Sequence, residues 1–521
     1  MAWDYQRSHD RIQKHLNGLG AIDIRKLVRE ADLDQLLTET TCRQIYGAHV
    51  YVTVSNFARL ASDGDGYYAQ DDYKRLIQGV HIYQREVARI VEGAAIFDGL
   101  RVHFQGAKLH ALFYRPIDDD EQLATRAALL QLVLKDFVRS VFNPAFPYYD
   151  DFSIAGGADL GEAIGTRNGT RGDRELLFLG SPANHAAKII GDAGSLRLTQ
   201  TLYDALPSDL QEICELIDEN NDSLYRLCAI SQTDLDALLE AHGIDWDREK
   251  CAERIAKDKR RFPLTEISYS SAETLIDVDS LSVYDNKRVT AASVFADVSG
   301  FTRYIDAAKT EEEQRTALRV FHAIRREMAK VITDDFDGIR IQYQGDRAQG
   351  LFHLPADDTD AIASTAVDAA VGLQSSMEHT LKEILSPDAE SLQLAVGVDF
   401  GATLVSKLGT RGHRDRICLG KPVEKAALCE ERSAGQQIGI TKVVREALSV
   451  DLCERFVYSS TAQCYIATGL TVWQLEQVAK ARRVYQPGAQ VFLTPGASGM
   501  LISQKEAPNA RSSIPSRSYG G

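Results

Sequence analysis

An α+β fold built from two tandem copies of one unit is what this sequence predicts, with a sheet on one side of each helix pair. Three observations predict it. Blocks of residues recur in the same order in the two parts of the chain. Each block sits in the same alternation of β-rich apolar runs and amphipathic helices. The 521 residues also exceed the roughly 250–300 at which a single hydrophobic core stops growing.

The recurrence carries most weight. HVYVTVSNFARLA at 49–61 resembles SVFADVSGFTRYI at 293–305. VHFQGAKLHALFYRP at 102–116 resembles IQYQGDRAQGLFHLP at 341–355. GTRGDRELLFLGSPANHAAK at 169–188 resembles GTRGHRDRICLGKPVEKAAL at 409–428. Three matches in register make a tandem duplication.

Within each copy an apolar run (VYVTV or SVFADV) leads through a polar turn into a long amphipathic helix. In the second copy that helix is TEEEQRTALRVFHAIRREMAKVI, with Thr310 as N-cap and Glu313 three residues on. A hairpin follows, with Gly106 or Gly345 at its turn. Next come another helix, a strand ending near Gly161 or Gly401, a Gly/Arg-rich loop and an LG-x-P segment that begins a helix. The expected organisation is a helical N-terminal segment at 1–45 and a first copy at 46–204. A charged helical linker at 205–287, a second copy at 288–480 and a loop-like tail at 481–521 complete it.

Composition narrows the function. A formal charge of −15 argues against a nucleic-acid-binding surface. The eight cysteines form no CxxC pair, which suits a reducing compartment better than a zinc site or a disulfide framework. The start of the chain is polar rather than signal-like, and no apolar run reaches transmembrane length. A cytoplasmic protein with no direct membrane insertion is expected.

Asp297 ends a buried-looking strand and Asp346 sits in the hairpin QYQGDRAQG. Two carboxylates on neighbouring strands, with the Val298 carbonyl, can hold hard divalent cations such as Mg²⁺ or Mn²⁺. Two bridged metals suit phosphoryl transfer. Taken singly, either Asp is equally a strand-end or turn residue. The aligned positions of the first copy hold Thr53 and Ala107, which cannot ligate strongly. That copy has Asn184 and Lys188 instead, four residues apart on one helix face. An amide and a cation so placed can hold a ribose and stabilise charge growing on phosphorus. The second copy carries Glu424 and Leu428 there. One copy keeps carboxylates and the other keeps donors, so one composite site is expected and its pseudo-symmetric counterpart should be dead.

In this pattern the chain resembles class III nucleotide cyclases. FADVSGFT followed by QGD looks like their metal-binding half, and LG-x-P-x-N-x-x-x-K looks like their G-x-x-V-N-x-A-x-R segment. The likeness spans roughly 45–190 and 288–430. It implies two tandem ferredoxin-like cyclase domains forming an intramolecular pseudo-dimer, with two divalent cations (Mn²⁺ or Mg²⁺) as cofactors. It makes Asp297 and Asp346 the metal ligands and Asn184 the ribose-orienting residue, with Lys188 in the arginine's place. Lysine keeps the charge but loses the arginine's bidentate fork.

The family's purine-reading pair aligns with His103 and Leu177, where neither adenine- nor guanine-reading residues stand. Tyr51, two residues before Thr53, would shorten the pocket toward a smaller base, although Tyr51 and His103 equally fit ordinary strand positions. The GTRGxRD signature and the missing purine pair are similar to the bacterial Pycsar pyrimidine cyclases. That resemblance implies cyclic CMP or cyclic UMP as a second messenger in anti-phage defence, sensed by a separate effector that is often a membrane protein. CTP is the substrate expected, with UTP as the alternative on the same site. Arg411 and Arg414 are candidate triphosphate contacts, an assignment that competes with ion pairing within the fold. An adenylate cyclase and a nucleotide-sensing pseudo-cyclase remain competing readings. The chain lacks a GGDEF-like run, which argues against a diguanylate cyclase. A homodimer is compatible with all of these.

Overall fold

A computed structural model of the chain describes residues 2–29, 33–57, 60, 70–147, 151–168, 175–219, 222–410 and 413–475. It contains two sheets of nine strands with one topology. The first comprises β1 (Asp23–Lys26), β2 (Thr41–Val54), β3 (Leu100–Gln105), β4 (Lys108–Phe113), β5 (Ile154–Asn168), β6 (Glu175–Leu179), β7 (Leu196–Thr199), β8 (Cys214–Glu219) and β9 (Asp222–Leu227). Its order is β3-β4-β2-β5-β7-β9-β8, with β1 on β2 and β6 on β5. The second comprises β10 (Ser268–Ser270), β11 (Asp285–Ser299), β12 (Ile339–Gln344), β13 (Arg347–Phe352), β14 (Gln393–Thr410), β15 (His413–Leu419), β16 (Gln437–Ile440), β17 (Val457–Ser459) and β18 (Cys464–Thr468). It repeats the order as β12-β13-β11-β14-β16-β18-β17, with β10 on β11 and β15 on β14. The fold is α+β with two tandem ferredoxin-like halves, as the duplication predicts.

The helices used below are α1 (Tyr5–Gly18), α2 (Gln70–Glu92), α3 (Asp120–Phe137), α4 (Ser181–Lys188), α5 (Arg248–Arg261), α6 (Phe301–Ala307), α7 (Glu311–Lys330), α8 (Thr359–Ser375) and α9 (Lys421–Glu431). Residues 291–296 of β11 are buried in succession, because helices and neighbouring strands cover the central strand. Helix α7 starts where expected: Thr310 accepts from the Glu313 amide, and the Glu313 side chain returns to the Thr310 amide.

One expectation changes. The stretch 205–287 is not simply a helical linker, since 214–227 forms the hairpin β8–β9 that closes the first sheet. Its second-copy counterpart is β17–β18. The pattern of leucines and acidic residues at 208–219 reads as helical locally, but pairing of β9 with β7 decides. The N-terminal segment is helical as expected, at Tyr5–Gly18 and Leu33–Leu36, with β1 between the two helices pairing in parallel with β2. The expected tail at 481–521 lies outside the described residues.

Each half borrows parts from the other. Leu404, Leu408, Ile417 and Leu419, from the β14–β15 arm, join the core of the first half. Ile164, Leu177 and Leu179, from β5–β6, join the core of the second. The leading helices are exchanged as well. Helix α1 precedes the first copy yet packs its Ile12 and Leu16 into the second half. Helix α5 precedes the second copy yet packs Cys251 and Ile255 into the first. Arg254 of α5 pairs with buried Glu86 as Arg11 of α1 pairs with buried Glu327. Both helices carry the pattern acidic-Arg-Ile-x-Lys, at 10–14 and 253–257.

At the seam Arg325, fully buried on α7, donates to Glu175 at 2.9 Å, and Arg340 of β12 reaches the same carboxylate at 3.0 Å. Glu175 is on β6, in the other half. Replacing it, as Glu175→Ala, leaves the Arg325 guanidinium buried without its acid and should cost about 3–5 kcal/mol. Urea unfolding checks this; a loss below about 1 kcal/mol, the size of an exposed pair, would show that Arg325 does not depend on Glu175.

Candidate active site

Strand registers confirm the internal alignment on which the site rests. Asp297 of β11 lies opposite Ala395 on β14, and Thr53 of β2 lies opposite Ala155 on β5. Asp346 follows Gly345 in the turn between β12 and β13, and Ala107 follows Gly106 between β3 and β4. Both glycines have positive φ, 72° and 63°, a conformation glycine adopts without strain. Ala107 is buried, so the first copy's turn holds an apolar side chain where the second holds a carboxylate.

Asp297 and Asp346 come together. Burial raises the proton affinity of both carboxyls, and the Asp297 charge raises that of Asp346 further. Two close carboxylates that resist ionising together make a favourable seat for a divalent cation. Val298 is the next residue of β11, opposite Leu394 with its side chain buried. Among the described residues no group of three or more His, Cys, Asp and Glu forms a complete metal cage. The donor set is two carboxylates and a main-chain carbonyl. It fits Mg²⁺ or Mn²⁺, which characteristically complete their shell with water and substrate phosphate rather than with protein.

The donor half reaches the same place. Helix α4 begins after Gly180 with Pro182 in its first turn and ends at Lys188. It lies against α6 of the other half, where Ser181 Oγ donates to Asp306 Oδ1 at 2.6 Å. Lys188 is exposed, and its charge pulls the Asp297 proton affinity down against burial. One turn before it stands Asn184. Among the described residues neither side chain makes a hydrogen bond or ion pair, so both are available to a ligand. Glu424 and Leu428 occupy the corresponding places on α9.

Sequence reasoning missed the groups around the carboxylates. Arg347, directly after Asp346, bonds Glu430 of α9 at 2.5 Å and lies with its guanidinium 4.4 Å from the centre of the Phe295 ring. Its charge acts on Asp297 too. Glu430 is pushed up to about 8 by burial, with Asp297 adding to the rise. Burial lowers the pKa of Lys108 on β4, with Arg347 close by. The signal was present: Lys108 and Arg347 align in the repeat, each immediately after the turn.

The base-reading candidates Tyr51 and His103 lie in one cluster. Its centre is His110, which the sequence reading passed over. The Tyr51 ring stacks on His110 with centroids 4.2 Å apart and planes 12° apart. His103 meets His110 edge-on at 5.3 Å, and His49 Nδ1 lies 3.0 Å from His110 Nε2. Burial pushes His49 and His103 down to about 4 and His110 well below its usual value, so all three are neutral at pH 7. Leu177 lies on β6, buried, opposite Thr166. Arg411 lies outside the described residues. Arg414 is on β15 opposite Gly409, where its charge acts on His81 of α2. That charge contact sets Arg414 against the first half of the chain.

Residues 283–477 match the adenylate and guanylate cyclase catalytic domain. That segment, which holds β11 to β18, is thus similar to class III cyclase domains. Over most of its length the chain is also similar to uridylate cyclases. One from Pseudomonas aeruginosa is 28% identical over 465 residues, covering 86% of each chain. Another, from a Rhizobium species, is 25% identical over 411 residues, covering 76% of this chain and 77% of its own. A crystal structure of a class III adenylyl cyclase-like ATP-binding protein from Pseudomonas aeruginosa shares the fold, with a TM-score of 0.78 and 24% identity, covering 92% of this chain and 99% of that one.

Proposed function

We propose that this chain is a pyrimidine nucleotide cyclase with one composite active site. The 3′-hydroxyl oxygen of a pyrimidine nucleoside triphosphate attacks its own α-phosphorus. The bond from that phosphorus to the β-bridging oxygen breaks, the hydroxyl proton is lost and diphosphate leaves. The observation that carries this reading is that α4 of one half is bonded to α6 of the other through Ser181 and Asp306, where the Lys188 charge acts on the Asp297 carboxyl. In this reading 46–204 supplies the donors and 288–480 the carboxylates, while 205–287 helps to set them face to face.

Asp297, Asp346 and the Val298 carbonyl would hold two divalent cations. Such ions supply charge neutralisation and a lowered pKa for the attacking hydroxyl. Asn184 would orient the ribose, and Lys188 would offset charge growing on the α-phosphoryl oxygens. A single ammonium stabilises that charge as a point rather than through a fork. Arg347, held on Glu430, stands ready for the triphosphate.

The stacked pair Tyr51 and His110 supports a pyrimidine over a purine, because their rings occupy the wall a larger base would need. CTP as the expected substrate rests on the resemblance to tandem members of the pyrimidine-cyclase group, since nothing in these residues separates cytosine from uracil. The names of the similar proteins favour UTP, and we assign uracil as the preferred base with cytosine as the second reading. By the resemblance to the Pycsar cyclases the cyclic nucleotide would act as a messenger in anti-phage defence, read by a separate effector. Among the described residues no helix is long and apolar enough to cross a membrane.

Incubation with ATP, GTP, CTP and UTP in Mn²⁺, read by mass, should give a cyclic pyrimidine monophosphate, cyclic UMP foremost. A cyclic purine as main product would refute the base assignment. Asp297→Ala and Asp346→Ala should each abolish product while circular dichroism stays unchanged; turnover in either would remove that residue from the metal site. Lys188→Ala should slow turnover by about 10²–10³, the size expected for losing one transition-state donor. A rate equal to that of the unaltered chain would mean the donor is another group.

A further inference from the structure

The exchanged helices α1 and α5 are copies that differ at one telling position. In α5 the residue after the shared lysine is Asp258. It accepts from Arg85 Nε at 3.0 Å and from Arg89 Nη2 at 2.9 Å, so this copy neutralises two arginines of α2 with its own carboxylate. The pairing of Arg254 with Glu86 and of Arg11 with Glu327 fixes the alignment. Arg85 and Arg89 stand one residue before and three after Glu86, so on α7 their places fall to Arg326 and Lys330. The place of Asp258 falls to His15, which brings no negative charge.

Where the carboxylate is missing, a cavity opens. It measures about 730 Å³ and is lined by Lys14, His15, Arg167, Arg326, Lys330 and the Thr38–Thr40 segment, among others. That volume lies within the range of small-molecule sites. Two acids line it as well: Glu327 takes Arg11 on both oxygens and also Ser8 and Ser376, while Glu39 lies beside His15; of the cations, Lys330 is held by Asp334 at 2.9 Å. Lys14 and Arg326 make no hydrogen bond or ion pair among the described residues. The His15 side chain is only 7% exposed, and its buried Nε2 has no hydrogen-bond partner. Glu39 Oε1 is 3.8 Å away, yet burial and the charges of Arg326 and Arg319 push His15 down to about 4. Burial is the largest cause, and the two arginines add to it because like charge disfavours the protonated ring.

We propose that this cavity is a second anion site, separate from the catalytic carboxylates, which takes a phosphate-bearing small molecule. The anion would stand over Lys14 and Arg326, where the other copy places the Asp258 carboxylate. Several cations converging on one cavity suit a multiply charged phosphate better than a single carboxylate.

The test is calorimetric titration of the full chain with inorganic diphosphate in excess chelator. The unaltered protein should bind, and the double variant Lys14→Gln, Arg326→Gln should bind at least about tenfold more weakly, the effect of losing charged partners. His15→Asp restores the internal carboxylate; it should likewise abolish binding while keeping or raising the melting temperature. Lys188→Ala should bind as the unaltered chain does. Binding lost in Lys188→Ala but retained in the other two would assign the anion to the active site and overturn the proposal. No binding by the unaltered chain at millimolar diphosphate, or acetate binding as tightly as diphosphate, would overturn it as well.

Discussion

The buried Arg325 ties this molecule together. A fully buried guanidinium demands an acid, because an unpaired charge in a protein interior is too costly to keep. The acid, Glu175, comes from the other half of the chain. The Arg325 guanidinium also lies 3.8 Å from the centre of the Tyr343 ring, whose hydroxyl donates to the Arg325 carbonyl. From that seat its charge reaches Asp346. One residue therefore links the seam between the halves to the hairpin that presents Asp346. The apolar exchange of arms works the same way, since neither core is complete without side chains from its partner. The arrangement of the composite site follows from that mutual dependence.

Duplication explains why the two halves could diverge in opposite directions. A site made by two identical copies appears twice, and only one needs to be kept. In the proposed site, carboxylates come from β11 and its neighbouring hairpin while the amide and cation come from α4. The aligned positions hold Thr53 and Ala107 in the first copy and Glu424 and Leu428 in the second. Ala107 shows the relaxation physically: once no cation is needed, a buried methyl in the turn avoids the cost of desolvating a carboxylate. Gln84 stands where Arg325 stands in the second copy and donates to the Gly106 carbonyl. The first hairpin is thus braced by a neutral amide, which needs no acid.

Much of this was legible in the sequence because repeats report on themselves. Comparing one copy with the other located Asp297, Asp346, Asn184 and Lys188 and gave the two-sheet fold; the strand registers confirm that alignment. What escaped was non-local. His110 has no signature of its own, and only the pairing of β4 with β2 sets it against Tyr51. The stretch 214–227 reads as helix by local pattern, whereas a sheet edge on β7 dictates otherwise. Arg414 sits in a motif that suggests phosphate, while its charge contact with His81 depends on how β15 packs against α2, which the motif does not encode. The copied leading helices were missed because their identity is confined to Arg-Ile-x-Lys, too short to stand out without their shared partners Glu86 and Glu327.

That last pair bears on how such a chain can acquire a new input. A leading helix that crosses to the opposite half is a lever on the seam, since α7 carries Arg326 on the face toward α1 and Arg325 on the face toward Glu175. In one copy the lever is locked internally, with Asp258 holding Arg85 and Arg89. In the other, His15 leaves the cations of α7 facing α1 without that lock. The two ends of a duplicated protein then differ in the charge that holds them closed, although their backbones agree. A single exchange of aspartate and histidine is enough to turn a structural ion pair into a place where charge must come from solution.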